Sequence, residues 1–260
     1  MSREIDSVSI LLPVHNERET ILAHIEGLSA AVAAACAPRD VELLLLDNAS
    51  TDGTSDLGAL LMERVPKAKI ISVATKGRGA ALNAGFAVAV GDAVAVLAID
   101  RAWDEEFLKV GLQGLDNGFD VVYGQKSHAK SRVDRPLHRE MASLILRLLV
   151  AGLFFVRPQD TQCVKIFRRS RVQFLRAMHD FNYFAETEFF LRSRANGLRT
   201  LGVPVNVRDR RRGSKVKLSS FWEFVCEAWA FRCNSPLMPW LASRRRAPVS
   251  RASGGGETRL

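Results

Sequence analysis

The sequence predicts an α/β fold in which a mainly parallel sheet is covered by helices on both faces. Two observations predict it. Apolar runs alternate along the first half of the chain with segments whose apolar residues recur at helical spacing. The runs are also apolar almost throughout, as in VELLLL at residues 41–46 and AVAVLA at residues 93–98. Strands of that kind are buried on both faces, which is typical of parallel strands connected by helices.

The order of elements follows from the same patterns. The first predicted strand covers residues 7–12 and stops at Pro13, and a helix follows over residues 20–35. The other elements of the first half are strands at 41–46, 68–73, 93–98 and 120–123, and helices near 55–62, 80–90 and 107–115. The second half is expected to hold a basic loop at 126–139, an amphipathic segment at 141–155, strands at 164–167 and 199–207, and helices near 170–178, 184–195 and 221–229.

We expect a single domain over residues 1–243, with an amphipathic, basic C-terminal portion, and a disordered basic tail over residues 244–260. The longest apolar run, residues 144–156, is interrupted by Arg147 and is shorter than the roughly 20 residues that span a bilayer. We therefore expect no membrane anchor within the chain, and the polar opening residues do not resemble a signal peptide.

The composition favours an anionic partner. The 260 residues include 37 Lys and Arg against 28 Asp and Glu, a net charge of +9, which suits nucleic acid, lipid headgroups or a phosphorylated substrate. The four cysteines show no zinc-ligand spacing and are interpreted as reduced thiols of a cytoplasmic protein.

The residues that follow the strands are the candidates for a binding site, because ligands of such sheets lie beyond the carboxyl ends of the strands. These are residues 13–17, 47–52 and 100–104. The stretch LDNASTDGT, beginning at Leu46, has two interpretations. It is either a turn with a helix N-cap, or a nucleotide pocket in which Asp47 accepts a hydrogen bond from a base.

The stretch TKGRGAALNAG, residues 75–85, is not a dinucleotide fingerprint. Leu82 stands where a glycine is needed, and the stretch follows the third strand rather than the first. We expect instead a loop whose backbone amides and Arg78 face a phosphate.

The sequence does not decide the roles of two basic runs and two histidines. RVDRPLHRE at 132–140 is either solvated charge or a contact with anionic headgroups beside the amphipathic segment. The run at 208–217 is the generic signal for nucleic acid, but it has no interleaved aromatic residues, so nucleic acid binding is disfavoured. His15 and His138 lack an evident Ser or Cys partner for nucleophilic catalysis.

Eight stretches, in order along residues 7–230, carry a resemblance to a known family. They are LPVHNE, LDNASTDGT, KGRGAALNAG, RPLHR, DTQCVKIF, ETE, VPV and GSKV. In this order they resemble the family 2 glycosyltransferases of the GT-A fold, in particular the polyprenyl-phosphate hexose transferases, with the strongest likeness to dolichyl-phosphate glucosyltransferases. The resemblance implies the nucleotide-diphospho-sugar transferase fold, a mixed and mainly parallel sheet with helices on both faces.

The resemblance also implies site residues. A nucleotide-sugar donor would lie across the strand ends. The implied donor contacts are Pro13, His15, Glu17, Asp47, Asn48, Arg78 and Asp100. The implied contacts of the acceptor phosphate are Lys126, Arg135, Arg139, Ser143 and Lys215. Asp100, Arg139 and Lys126 would be the catalytic set.

One departure from the family concerns a metal. The family ends its fourth strand with Asp-x-Asp, whose carboxylates hold Mg²⁺ or Mn²⁺ against the diphosphate, but here the first acid is replaced by Ala98 and only Asp100 remains. Three alternatives follow. One carboxylate suffices, because magnesium often binds through one or two carboxylates plus phosphates; or Arg101 or Arg78 replaces the cation; or catalysis has been lost.

We therefore expect inverting transfer of a hexose, glucose before mannose, from a nucleotide-diphosphate sugar to polyprenyl phosphate. The protein would be cytoplasmic and peripheral on the inner face of an anionic membrane. The alternative is a catalytically impaired homologue that binds sugar nucleotides in a regulatory role. The sequence makes no prediction of oligomeric state.

Overall fold

The computed structural model describes residues 4–100, 103–104, 106–134, 137–156, 163–208 and 218–235, with the backbone alone at 62, 137–139, 208 and 218. Within these ranges the strands are β1 (Ser7–Val14), β2 (Asp40–Asn48), β3 (Ala68–Val73), β4 (Ala93–Val96), β5 (Val121–Gly124), β6 (Arg132–Asp134), β7 (Lys165–Arg168), β8 (Thr200–Val203) and β9 (Asn206–Arg208). The helices are α1 (Arg18–Cys36), α2 (Gly58–Arg64), α3 (Arg78–Val88), α4 (Glu106–Asp116), α5 (Leu137–Phe154), α6 (Ala185–Ala195) and α7 (Leu218–Asn234).

Seven strands form one mixed sheet in the order β3-β2-β1-β4-β7-β5-β8. All pairs are parallel except those of β7, which runs antiparallel to both β4 and β5. As a result β7 begins at the edge of the sheet where β1, β2 and β4 end. The prediction of a mixed, mainly parallel sheet is confirmed.

Helices cover both faces of the sheet. On one face the core is formed by strand residues such as Ile10 and Leu45 with α1, α2 and α4. On the other face, residues such as Leu11 and Phe167 pack against α3 and α6. A third cluster joins α5, α6 and α7 through phenylalanines, among them Phe184. The chain therefore has helices on both faces, as the sequence predicts, and an additional helical layer formed by α5 and α7.

The end of β1 was predicted wrongly. β1 does not stop at Pro13 but continues to Val14, and Pro13 lies opposite Leu46 of β2. The carbonyl of Leu11 accepts a hydrogen bond from Leu97, on the β4 side of the strand. Pro13, two residues later, faces that same side, where the ladder with β4 has already ended, so its missing N–H leaves no bond unmade.

Four other predicted elements differ from the structure. The helix expected near 170–178 is two 3-10 turns, Arg169–Arg171 and Gln173–Ala177. The strand expected over 199–207 is divided at Pro204 into β8 and β9. The basic loop contains β6, which pairs with β9 in a small second sheet. β4 ends at Val96, two residues earlier than expected.

Helix α1 is long and apolar enough to satisfy the length and composition of a membrane span. It lies against the sheet, however, with Ile21, Ile25, Leu28 and Val32 buried in the first core. We therefore describe it as a core helix. The predicted tail and the residues Arg101, Arg135 and Lys215 lie outside the described part of the chain.

Candidate active site at the strand ends

The segments that follow β1 and β2 are joined by hydrogen bonds. Nδ1 of His15 lies 2.8 Å from the carbonyl oxygen of Asn48. Asn16 donates its amide to the Ser50 hydroxyl at 2.9 Å and accepts the Thr51 amide on its side-chain oxygen at 2.8 Å. These bonds hold the two strand ends together and fix the loop between them at the edge of the sheet.

The loop after β2 closes on the start of α1. Asp52 accepts the Arg18 amide at 3.0 Å and the Thr54 hydroxyl at 2.6 Å. The hydroxyl of Thr54 is the main reason why the pKa of Asp52 is below its usual value. Glu17 donates its own amide to Thr54 at 3.3 Å. The turn that the sequence predicts for this stretch is therefore present; a role in nucleotide binding stays a prediction.

Asp47 and Asn48 are buried at the end of β2. Asp47 accepts the amide of Ser50 at 3.2 Å, as aspartates do in turns. The side-chain oxygen of Asn48 accepts the amide of Gly77 at 2.9 Å. Asn48 thus joins the segments that follow β2 and β3, and it helps to place Arg78, the first residue of α3, at the same edge.

The expectation that backbone amides of this loop face a phosphate is wrong for two of them. Gly77 donates to Asn48, and Gly79 donates to the carbonyl of Phe181 at 2.8 Å. Backbone at residues 179–180 approaches both glycines so closely that a β-carbon on either one would collide with it. These two amides are therefore engaged within the protein, and the side chain of Arg78 remains a candidate anion contact of the loop.

Arg78 and two other charged side chains, Lys165 and Glu186, come from separate elements and meet at this edge. Nε of Arg78 lies 2.7 Å from one carboxylate oxygen of Glu186, in an ion contact whose angles do not suit a hydrogen bond, and Lys165 contacts the other oxygen. Glu186 is 3% exposed and Lys165 1%, whereas Arg78 is 43% exposed. Burial lowers the pKa of Lys165 to about 7. We call these residues the ion cluster.

Sequence reasoning did not assign a role to Lys165 or Glu186. The available signal was a lysine within the apolar run CVKIF, because a lysine is almost never fully buried unless it is paired. Its partner could not be identified from the sequence, since Glu186 lies 21 residues further along the chain.

The second acid of the ETE stretch, Glu188, is held in a different way. It lies 2.8 Å from Nδ1 of His179 and 2.7 Å from Nε of Arg192. The His179 ring stacks on Phe181, with 4.8 Å between ring centroids. Glu188 thereby fixes residues 179–181, the backbone that packs against the start of α3.

Asp100 lies four residues beyond the end of β4 and is half-buried, as is Ala98. No group of three or more His, Cys, Asp or Glu residues with the arrangement of a metal site occurs in the described ranges. The protein groups described here therefore do not form a complete cation cage at Asp100. Mg²⁺ or Mn²⁺ fits only if phosphate oxygens of a ligand supply the other positions.

The predicted acceptor residues are only partly described. Lys126 follows β5, and its ammonium lies 5.3 Å from the centroid of the Trp103 ring. It is close enough to Lys165 to lower the pKa of that lysine. Ser143 lies in α5, as does the backbone of Arg139. The contacts of Arg135 and Lys215 lie outside the described residues.

Helices α5 and α7 expose apolar side chains to solvent. We call this surface the apolar face; its members are Met141, Leu144, Ile145, Leu148, Phe155, Trp222 and Trp229. A shallow groove of about 560 Å³ lies between the two helices, with Phe155, Trp229 and Arg232 in its lining. Trp222 and Trp229 are 60% and 61% exposed, which is unusual for so large an apolar residue in water.

Hydrogen bonds connect the apolar face to the strand ends. Glu227 of α7 accepts the backbone amides of Asn182, Tyr183 and Phe184 at 2.8–3.0 Å. These amides belong to the segment that leads from Phe181 into α6. The start of α6 and the backbone against α3 are thus held by one carboxylate of α7.

Comparison with known proteins shows the family to which the chain is related. Residues 9–178 match the model of glycosyl transferase family 2. Among curated relatives, an undecaprenyl-phosphate 4-deoxy-4-formamido-L-arabinose transferase of Yersinia enterocolitica is 28% identical over 70% of this chain and 55% of its own length. An uncharacterised glycosyltransferase of Nostoc is 34% identical over 42% of this chain and 37% of its own. The chain thus spans only about half, or less, of these relatives.

The fold has solved counterparts. Glucosyl-3-phosphoglycerate synthase of Mycobacterium tuberculosis, in a structure with Mn²⁺, UDP and glucosyl-3-phosphoglycerate, superposes with a TM-score of 0.64 at 20% identity, over 88% of this chain and 80% of that one. This likeness establishes the GT-A fold. Because the family model covers well over half of the sequence, the chain belongs to glycosyl transferase family 2.

Proposed function

We propose that the protein transfers a sugar from a nucleotide-diphosphate donor to polyprenyl phosphate. The observation that carries the proposal is the convergence, at one edge of the sheet, of the segments after β1, β2 and β3 in a member of this family. The donor lies across this edge, where Pro13, His15, Glu17, Asp47 and Asn48 receive the nucleoside. Arg78 receives the diphosphate.

The acceptor chemistry requires little from the protein. A lipid monophosphate has a second pKa near 6 and is largely ionised at neutral pH, so its oxygen attacks the anomeric carbon without a strong general base. Lys126, Arg139 and Ser143 hold this phosphate, together with Arg135 and Lys215. The attack occurs opposite the leaving diphosphate and inverts the anomeric configuration. Positioning and charge stabilisation then supply most of the catalysis.

Asp100 is the carboxylate to which a divalent cation would bind, with diphosphate oxygens completing the coordination. A cation held there would help to neutralise the charge that develops on the leaving group. Arg78, on the same edge of the sheet, adds a positive charge that does not depend on a metal.

The name of a relative supports polyprenyl phosphate as the acceptor, since the Yersinia protein is named as an undecaprenyl-phosphate sugar transferase. A hexose donor, with UDP-glucose before GDP-mannose, is the finer part of the proposal. It rests on the resemblance of the DTQC stretch.

Transfer is tested with radiolabelled UDP-glucose and GDP-mannose, each incubated with extracted polyprenyl phosphate, with and without Mn²⁺. We expect a labelled lipid product. We expect Asp100→Ala to lower turnover by about 100-fold or more, the range for removing one charge-stabilising group. Asp116→Ala is the matched control, because that carboxylate forms only a surface pair with Arg39. Unchanged turnover in Asp100→Ala would exclude this residue from the mechanism.

Ala98→Asp is the complementary test, because it adds a second carboxylate to the proposed cation site instead of removing the first. A second carboxylate strengthens the hold on the cation, so we expect half-maximal activity at a lower Mn²⁺ concentration. An unchanged requirement would mean that position 98 does not face the cation.

Ala98 also favours a second candidate, a family member that binds sugar nucleotides without turnover. Binding of UDP in calorimetry, with no product under any metal condition, would favour this regulatory role. Absence of UDP and GDP binding would contradict both candidates.

We also propose that the apolar face rests on the inner, cytoplasmic surface of an anionic membrane. Tryptophans suit the interface of a bilayer, and Arg232 beside the groove suits acidic headgroups. This contact would bring the active site to the lipid acceptor.

A further inference from the structure

The ion cluster lies where the proposed donor diphosphate arrives. Arg78 begins α3, Lys165 begins β7, and Glu186 lies in the first turn of α6. Lys165 is paired with Val96 at the end of β4, four residues before Asp100. Three elements therefore place the cluster at the same edge as the candidate cation residue.

Two cations share one buried carboxylate in this cluster. When Lys165 is protonated, the three side chains carry one net positive charge; when it is neutral, Glu186 and Arg78 cancel. Only Arg78 reaches solvent, so a ligand meets the charge of the whole cluster through its guanidinium. The protonation of Lys165 thus sets how much of the Arg78 charge is available to an anion.

The surroundings of Lys165 favour the loss of its proton at a lower pH than is usual for a lysine. Its pKa is lowered to about 7, chiefly by burial; Cys163 acts to raise the pKa, and the positive charges of Arg78 and Lys126 act to lower it. The rings of Phe189 and Phe190 lie 5.5 and 5.9 Å from its ammonium and favour the charged form. An anion bound at Arg78 would favour the charged form as well.

We propose that Lys165 and Glu186 are positioning residues for Arg78: the buried pair fixes the guanidinium at the strand ends, and binding of the donor's diphosphate there draws a proton onto Lys165. The inference rests on the proposed function for the identity of the ligand. It extends that function by assigning a role to two residues that lie behind the binding surface.

Calorimetric titration with UDP tests this inference. The wild-type chain and Lys165→Met are compared between about pH 6 and pH 9, with Lys69→Met as the control for loss of a strand lysine that is exposed. Below about pH 7 we expect Lys165→Met to bind UDP about tenfold more weakly than the wild type, the scale of one charge-assisted contact. Towards pH 9 the two affinities should converge, because Lys165 is then neutral in the wild type too. Lys69→Met should follow the wild type throughout.

A purely structural pair would give another result. Lys165→Met would then melt at a different temperature but bind UDP at a constant ratio to the wild type across the pH range, which would overturn the inference and leave the proposed function intact. No UDP binding by the wild type at any pH would contradict the proposed function itself.

A second measurement needs no variant and so does not depend on the folding of Lys165→Met. UDP is titrated into the wild-type chain at about pH 8, where its phosphates are fully ionised, in two buffers that differ in ionisation enthalpy. We expect a measurable fraction of a proton to be taken up per UDP bound. Identical enthalpies in the two buffers would overturn the inference.

Discussion

The four cysteines occupy two kinds of environment, and all four are thiols. Cys36 is buried at the C-terminal end of α1, and burial raises its pKa to about 11. Cys163 is buried before β7, whereas Cys226 and Cys233 are exposed on α7. Since the thiolate is the reactive form, exposure and pKa together decide the rate of modification.

We expect two of the four thiols to react quickly with a disulfide reagent at pH 8 and two only on unfolding. Mass spectrometry of the labelled protein should place the fast label on Cys226 and Cys233. Cys226→Ser with Cys233→Ser should remove the fast phase. Rapid labelling of Cys36 would contradict its burial.

Lys165 also makes stability depend on pH. The unfolded chain keeps this proton up to about pH 10.5, the ordinary value, but the folded chain loses it near pH 7. Between these values the unfolded state binds more protons, so the free energy of unfolding rises with pH, by no more than about 1.4 kcal/mol per unit. Below about pH 7 both states are protonated and the contribution is constant.

Urea unfolding at about pH 7 and pH 9 measures this contribution. We expect the wild type and Lys69→Met to gain stability relative to Lys165→Met at the higher pH. Equal pH dependence in all three proteins would show that Lys165 keeps an ordinary pKa in the folded state.

Prediction from the sequence was most successful for the elements and least successful for contacts between them. Apolar runs such as residues 41–46 identify buried strands because both faces of the sheet are covered. The division into β8 and β9, and the pairing of β9 with β6, depend on partners about 74 residues apart and on Pro204. The meeting of Lys165 with Glu186 is of the same kind, since no local pattern encodes it.

The start of α3 depends on glycine because backbone of residues 179–180 lies against it. Gly79→Ala would drive a methyl group into the carbonyl of His179. We expect a loss of about 1–3 kcal/mol in the free energy of unfolding, the range for overpacking. Gly152→Ala is the matched control, because that position in α5 has open space around it. The control should be neutral or more stable by up to about 1 kcal/mol.

Chemical denaturation of the two glycine variants gives these values. A Gly79→Ala protein as stable as the wild type would mean that the segment at residues 179–181 moves away from α3 without cost.

Glu227 is the acceptor for three consecutive amides ahead of α6. Glu227→Gln keeps the size of the side chain but removes its charge and one acceptor oxygen, so we expect a loss of about 1–3 kcal/mol in stability. Glu223→Gln, on the exposed side of the same helix, should change stability by less than about 0.5 kcal/mol. Thermal melting of both variants checks the difference; equal melting temperatures would contradict it.

For the molecule as a whole, the exposed tryptophans predict where it meets a bilayer. Trp222→Ser with Trp229→Ser should reduce sedimentation with vesicles containing acidic lipids by about tenfold or more, because two interfacial anchors are lost. Val90→Ser is the control, since Val90 is 70% exposed but belongs to neither α5 nor α7. Equal sedimentation of the double variant and the wild type would remove the apolar face from the proposal.

The carboxylate of Glu227 links the tryptophan-bearing helix α7 to the segment that precedes α6. An outward tilt of α7 would cost three amides their acceptor at once and would pull on the adjoining segment at residues 179–181, which is bonded to Gly79. If the apolar face rests on lipid as proposed, a displacement of the tryptophans would be transmitted through the Glu227 side chain and a few peptide units to Arg78, the proposed contact of the donor.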